Sequence, residues 1–177
     1  MRALVVYESW FGNTQKVARA VAAGLEHYLT VEVVNVLHAP AEITELLDLI
    51  VVGGPTHAFS LSRPSTRADA VHQGALNHHT ERGLREWLEG LHQGPHSELV
   101  ATFDTRIATG RHLPGSAARK AAHLTRESGF ASAAKPVSFY VADLAGPLLP
   151  GELARAEAWG ERLGREARAR AHGELSR

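Results

Sequence analysis

Apolar residues fall along this chain in two rhythms. Short apolar runs at 3–7, 31–36, 49–53, 99–103 and 137–141 have the length of strands, and longer stretches between them repeat at helical spacing. Val17, Val21, Leu25 and Tyr28 mark one face of an amphipathic helix over 13–29. The second strand, 31–36, starts on polar residues, which suits a sheet edge, whereas 49–53 is apolar throughout and suits a centre buried on both faces. Leu84, Trp87, Leu88 and Leu91 give 80–92 a helical face. A further helix over 116–128 stops at Gly129, a natural C-terminal cap. In the last helix, 152–171, Glu161–Arg165 and Glu166–Arg170 lie one turn apart and solvate its outer face.

Strands interleaved with helices predict an α/β fold, a doubly wound, five-stranded parallel sheet with helices on both faces. The length of 177 residues fits a single domain over 1–177, with a tail after 171 expected to fray. Composition changes this picture little: 44% apolar and 21% charged residues are ordinary for a soluble globular protein. Lys and Arg number 19 against 19 Asp and Glu, so net charge gives no pull toward nucleic acid or membrane. The absence of cysteine excludes disulfides, thiolate metal sites, iron–sulfur clusters and cysteine nucleophiles. The first apolar run is too short for a signal peptide and no stretch is suited to a membrane span, which makes a cytoplasmic location the default expectation.

The chemistry gathers behind the first strand, in "YESWFGNTQK", residues 7–16. In an open parallel sheet, ligands sit beyond the carboxyl ends of the strands where the winding reverses. A helix starting there offers unpaired N–H groups and a partial positive charge. With the hydroxyls of Ser9 and Thr14, these can hold a phosphate without a dedicated cation. Gly12 permits close backbone approach, and Asn13 suits a turn or cap. Neither G-x-x-x-x-G-K-[ST] nor G-x-G-x-x-G occurs, which argues against a nucleoside-triphosphate loop or a dinucleotide fingerprint.

What remains, S-x-F-G-N-T from Ser9 to Thr14, resembles the phosphate loop of flavodoxins, which bind flavin mononucleotide (FMN). The aromatic Phe11 is like the S-x-Y-G-N-T form of flavodiiron proteins, where many flavodoxins carry threonine. The stretch "VVGGPTHAFSLSRPSTR", 51–67, has a G-G-P-T opening similar to the loop that borders the flavin ring in that family. The resemblance implies that Pro55, Thr56, His57, Ala58 and Phe59 face the ring. In "FDTRIATGRHLPGSA", 103–117, it implies that Asp104, Thr105 and Arg106 close the other side. It further implies strand order 2-1-3-4-5, FMN as cofactor, electron transport without a catalytic side chain, and a redox protein or small quinone-like acceptor as partner.

Some features depart from that family. Electron-carrying flavodoxins are strongly acidic, and this chain is neutral. They commonly bracket the ring with Trp and Tyr, which the third loop lacks, so Trp10, His57 and Phe59 are the stacking candidates. Two alternatives stand beside an electron carrier: an NAD(P)H-dependent FMN quinone reductase, and a module of the same fold without tight flavin. The oligomeric state is open.

The long connection from 54 to 80 is expected to hold a short helix near 68–73 and a mobile remainder carrying Arg63 and Arg67, which could meet an anionic substrate or pair with acids such as Asp69. The 11 histidines predict no metal site. His78 and His79 are adjacent and point apart, Gly94-Pro95 separates His92 from His96, and no H-E-x-x-H occurs. His57 differs, because an imidazole beside a flavin can hold or relay a proton.

Overall fold

The computed structural model describes residues 1–43 and 46–174. In chain order the elements are β1 (Arg2–Tyr7), α1 (Asn13–Glu26), β2 (Thr30–Asn35), β3 (Leu49–Pro55), α2 (Pro64–His72) and α3 (Leu84–Glu89). They continue as β4 (Leu99–Ile107), α4 (Ala117–Glu127), β5 (Ala131–Ser132), β6 (Val137–Val141) and α5 (Glu152–Glu174). The strands are ordered β2-β1-β3-β4-β5, with β6 also on β4, and every pairing is parallel. This is the expected doubly wound α/β sheet with β2 at an edge.

The period of two along the strands sorts the core into two layers. Ala3, Val5, Tyr7, Leu49 and Val51 pack on one face against α1 and α5, through Val17, Val21, Leu25, Trp159 and Leu163. Leu4, Val6, Ile50 and Val52 pack on the other against α3 and α4, through Leu84, Trp87, Leu88, Ala121 and Leu124. The helices α1 and α5 touch backbone to backbone. A Cβ on Gly24 would lie 2.1 Å from the Glu157 carbonyl oxygen, and one on Gly160 would lie 2.1 Å from that of Val21.

Several elements differ from the sequence expectation for physical reasons. The fifth strand is split: Ala131–Ser132 pairs at Leu99–Val100 and Val137–Val141 at Phe103–Ile107. Pro136, just before β6, has no N–H to give a ladder. β4 runs on to Ile107 because β3 also extends to Pro55 and pairs Gly54 with Asp104 and Pro55 with Thr105. The helix expected over 80–92 shrinks to Leu84–Glu89. Residues ahead of it instead present the carbonyls of Thr80 and Glu81 to the guanidinium of Arg67. The helix expected near 68–73 begins earlier, at Pro64. At the far end α5 reaches Glu174, and the rest of the tail expected to fray lies outside the described residues.

Candidate functional site

At the carboxyl edge of the sheet, the loops after β1, β3, β4 and β6 line a narrow, open crevice. The first loop leaves β1 through Glu8, whose carboxylate turns away from the crevice. It accepts from Trp10 Nε1 at 2.6 Å and from the Leu84 N–H at 2.7 Å, which binds the loop to the start of α3. Gly12 then takes a left-handed conformation (φ 81°), which a side chain resists, and α1 starts at the next residue. Ser9 Oγ accepts the Gln15 N–H at 3.3 Å, and the Lys16 N–H reaches the Gly12 carbonyl. The main-chain N–H groups of Ser9, Trp10, Phe11, Gly12, Asn13 and Thr14 donate to no group among the described residues.

Cross-links hold this open turn in place. Thr14 Oγ1 and Thr105 Oγ1 are 2.7 Å apart, joining α1 to the end of β4. Asn13 Nδ2 donates to the Ala145 carbonyl at 3.0 Å, joining it to the loop after β6. The Thr56 N–H donates to the Thr105 carbonyl at 2.9 Å, joining the second loop to the third.

Of the residues expected from sequence, Trp10, Phe11, Asn13, Thr14, Pro55, Thr56, His57, Thr105 and Arg106 line the crevice. Ser9 and Gly12 open instead into a neighbouring hollow on the β2 side of the same loop. Trp10 is only 1% exposed, and its indole N–H is held by Glu8. Ala58 and Phe59 are not among the lining residues. Both have positive φ, 45° and 64°, in a tight turn closed by reciprocal bonds between His57 and Ser60. Two such non-glycine residues cost about 1–2 kcal/mol each, and the turn swings Phe59 outward, 54% exposed.

Asp104 faces away from the crevice. Fully buried, it accepts from Thr56 Oγ1 at 3.1 Å and from the Ala118 N–H at 3.0 Å, while its Oδ1 has no partner among the described residues. Arg106 forms no ion pair among the described residues. Its guanidinium gathers the carbonyls of Gly110, Leu113 and Gly115 and so shapes the third loop. Arg67 is likewise internal, correcting its expected place on a mobile ligand-facing loop. It is fully buried and meets Glu86 through two nitrogens at 2.9 and 3.0 Å, not Asp69. Burial pushes the Glu86 carboxyl up, but its hydrogen bonds, above all to Arg67, outweigh this and leave it below the ordinary value.

His57 is the titratable group in the crevice whose affinity for a proton is shifted. Burial pulls its pKa below the ordinary value, with Glu8 opposing, so the ring is neutral at neutral pH. No carboxylate lines the crevice. The site is therefore an uncharged donor array beside a neutral imidazole, with one guanidinium already occupied by carbonyls.

Ile107, Val141 and Leu144 complete the apolar wall, and sequence reasoning did not single them out. The signal was topological: a loop following a parallel strand opens on the same edge as the others. Elsewhere, His27, Glu157 and Glu161 bring possible ligand atoms within 4.8 Å of one another on the open surface. All three side chains are exposed, and His27 Nε2 lies 3.8 Å from Glu161 Oε1.

No family model matches the chain, and no curated protein matches its sequence. Solved structures do match it in shape. Oxidised flavodoxin 2 from Bacillus cereus aligns with a TM-score of 0.67 at 16% identity, over 94% of this chain and 99% of that one. A flavodoxin, WrbA-like protein from Agrobacterium tumefaciens gives 0.58 at 19%, over 95% and 98%. A flavodiiron core from Synechocystis gives 0.61 at 17%, over 96% of this chain and 36% of that one. With its strand order, its crossover to α1 and these neighbours, the chain has the flavodoxin-like fold.

Proposed function

We propose that this single-domain chain binds FMN and passes electrons through it. The observation that carries the reading is the run of unpartnered N–H groups from Ser9 to Thr14, at the mouth of α1 and free of competing carboxylates. Such an array matches a phosphate monoester, and the donor set fits that group of FMN. The fold likeness makes FMN the first candidate among phosphorylated ligands.

Bound there, FMN would supply the electron chemistry. The chain's residues bind and orient it. The N–H groups of 9–14 with the Ser9 and Thr14 hydroxyls hold the phosphate. Phe11, Pro55, Ile107, Val141 and Leu144 give apolar contact and keep water from the ring. Thr56 and Thr105 fix the second and third loops to each other, and Arg106 holds the third in shape. His57 is a neutral imidazole at the crevice wall, able to accept a proton there. FMN titration followed by stepwise reduction in the spectrophotometer tests this: one equivalent should bind and take up electrons reversibly, and no binding would refute it.

A second reading, an NAD(P)H-dependent quinone reductase, is favoured by the rim. Phe59, Leu113 and Leu144 are exposed around the crevice, and segments 56–63 and 106–116 contain no Asp or Glu. Such a rim suits a small apolar acceptor better than a basic protein partner. Rapid oxidation of NADH or NADPH by a benzoquinone with the flavin-loaded protein would select this reading over a carrier.

A further inference from the structure

The phosphate loop has a hollow on each side. The crevice just described lies toward β3 and β4. A second, more open one lies toward β2, and Trp10 lines both. Ser9 and Gly12 open into the second. A mononucleotide gripped by the loop, with its ring in the first crevice, meets the second hollow only at its Ser9 and Gly12 edge and leaves the β2 side without an occupant.

The walls of the second hollow carry a defined chemistry. Tyr7 is only 7% exposed, and its oxygen accepts from Gln15 Nε2 at 2.8 Å. Its own phenolic proton has no acceptor among the described residues. Asn35 and Asn77 each use the side-chain oxygen to accept a local backbone N–H, from Leu37 and His79, both at 3.0 Å. Their NH2 groups are left as donors. Gln15 uses its NH2 on Tyr7 and keeps its carbonyl oxygen as an acceptor. Leu37 and Leu76 add apolar surface, His38 adds an imidazole, and no carboxylate lines the hollow.

Donors without a carboxylate select an acceptor-rich, anionic ligand, apolar walls suit a flat base, and a single amide acceptor suits an exocyclic amine. Those properties meet in an adenosine phosphate. We propose that the hollow between the phosphate loop and the end of β2 takes an adenosine phosphate. Joined through the loop to the flavin, this is the adenylate half of FAD; unjoined, it is a separate adenine nucleotide. The proposal rests on the FMN-binding reading of the first crevice.

Calorimetric titrations with FMN, with FAD, and with AMP added to FMN-loaded protein test it. FAD is expected to bind at least about tenfold more tightly than FMN. Tyr7→Phe should weaken FAD several-fold up to about tenfold, the worth of one buried hydrogen bond, Asn77→Ala, at a half-buried amide, by about two- to threefold, and both should leave FMN unchanged. If FAD gains nothing but AMP binds the FMN-loaded protein and Tyr7→Phe weakens it, the hollow is confirmed as the site of a separate nucleotide. FMN binding with no FAD gain and no AMP binding overturns this proposal and leaves the function intact. Failure of both flavins to bind overturns the two together.

Discussion

Helices α1 and α4 both begin at the carboxyl edge of the sheet, with equivalent dipoles pointing toward the same crevice region, yet their first turns are treated in opposite ways. At α4 every early donor is taken by the protein itself: Ala117 N–H by Thr56 Oγ1, Ala118 N–H by Asp104 Oδ2, Arg119 N–H by Ser116 Oγ. At α1 the donors from Ser9 to Thr14 have no partner among the described residues, and only Gln15 is capped, by Ser9. The macrodipole alone therefore does not make a binding site. A helix start binds an anion when its own chain leaves the donors open and builds a rigid frame around them. The Thr14–Thr105 and Asn13–Ala145 bonds supply that frame here.

The contrast is broken most strongly at Gly12. Gly12→Val places a β-branched residue at a φ of 81°, which reshapes the loop. FMN affinity should fall by at least about a hundredfold, roughly 3 kcal/mol, read by titration. At the sealed helix the corresponding change is Asp104→Ala, which leaves a buried N–H and the Thr56 hydroxyl without their acceptor. Urea unfolding should show a loss of about 2–3 kcal/mol, with FMN affinity of the folded protein little altered. A large affinity loss there would mean that Asp104 is a ligand after all.

How far such assignments were legible in sequence depends on where the information lies. S-x-F-G-N-T carried the open helix start, because Gly and Asn at a strand-to-helix turn are demanded by backbone geometry that few other residues satisfy. The cores of β1, β2, β3, β4 and β6 were readable from their apolar runs, and so was the winding; the short, exposed β5 was not. Asp104 was not readable: the sequence shows a carboxylate after a strand, and only the extension of β3 and β4 shows that it points under α4. Trp10 was a stacking candidate by residue type alone, and the bond from its indole N–H to Glu8, two positions earlier, was not legible. The turn at Ala58–Phe59 was hidden for another reason, since neither residue signals positive φ. Arg67 was misplaced because its partner Glu86 lies beyond the long connection.

Smaller changes sharpen the comparison. Ser9→Ala removes a hydroxyl at the open turn together with the cap of the Gln15 N–H, and should weaken FMN about tenfold as well as costing about 1 kcal/mol of stability. Ser116→Ala removes the matching cap of the sealed turn and should cost a similar amount of stability while leaving FMN affinity alone. Parallel titration and unfolding of both variants reads the difference in affinity at equal stability loss.

The smallest effect is on pH. His57 has a depressed pKa in the fold, so above about pH 6.5 both folded and unfolded chains hold it neutral and it contributes nothing. Below that, the unfolded chain takes up a proton the fold resists, and stability falls as pH falls. Glu86, also depressed, contributes stability above its ordinary value of 4.5 that is lost on further acidification. Unfolding midpoints from pH 8 to 4 should decline in that sequence, and His57→Gln should flatten the earlier part.

The most direct test compares FMN with riboflavin, which differ only in the phosphate. If the open donors of the first loop grip that group, riboflavin should bind at least about a hundredfold more weakly than FMN, and Gly12→Val should abolish most of the difference. Equal affinity for the two flavins would show that the loop holds no phosphate and would contradict the account at its root.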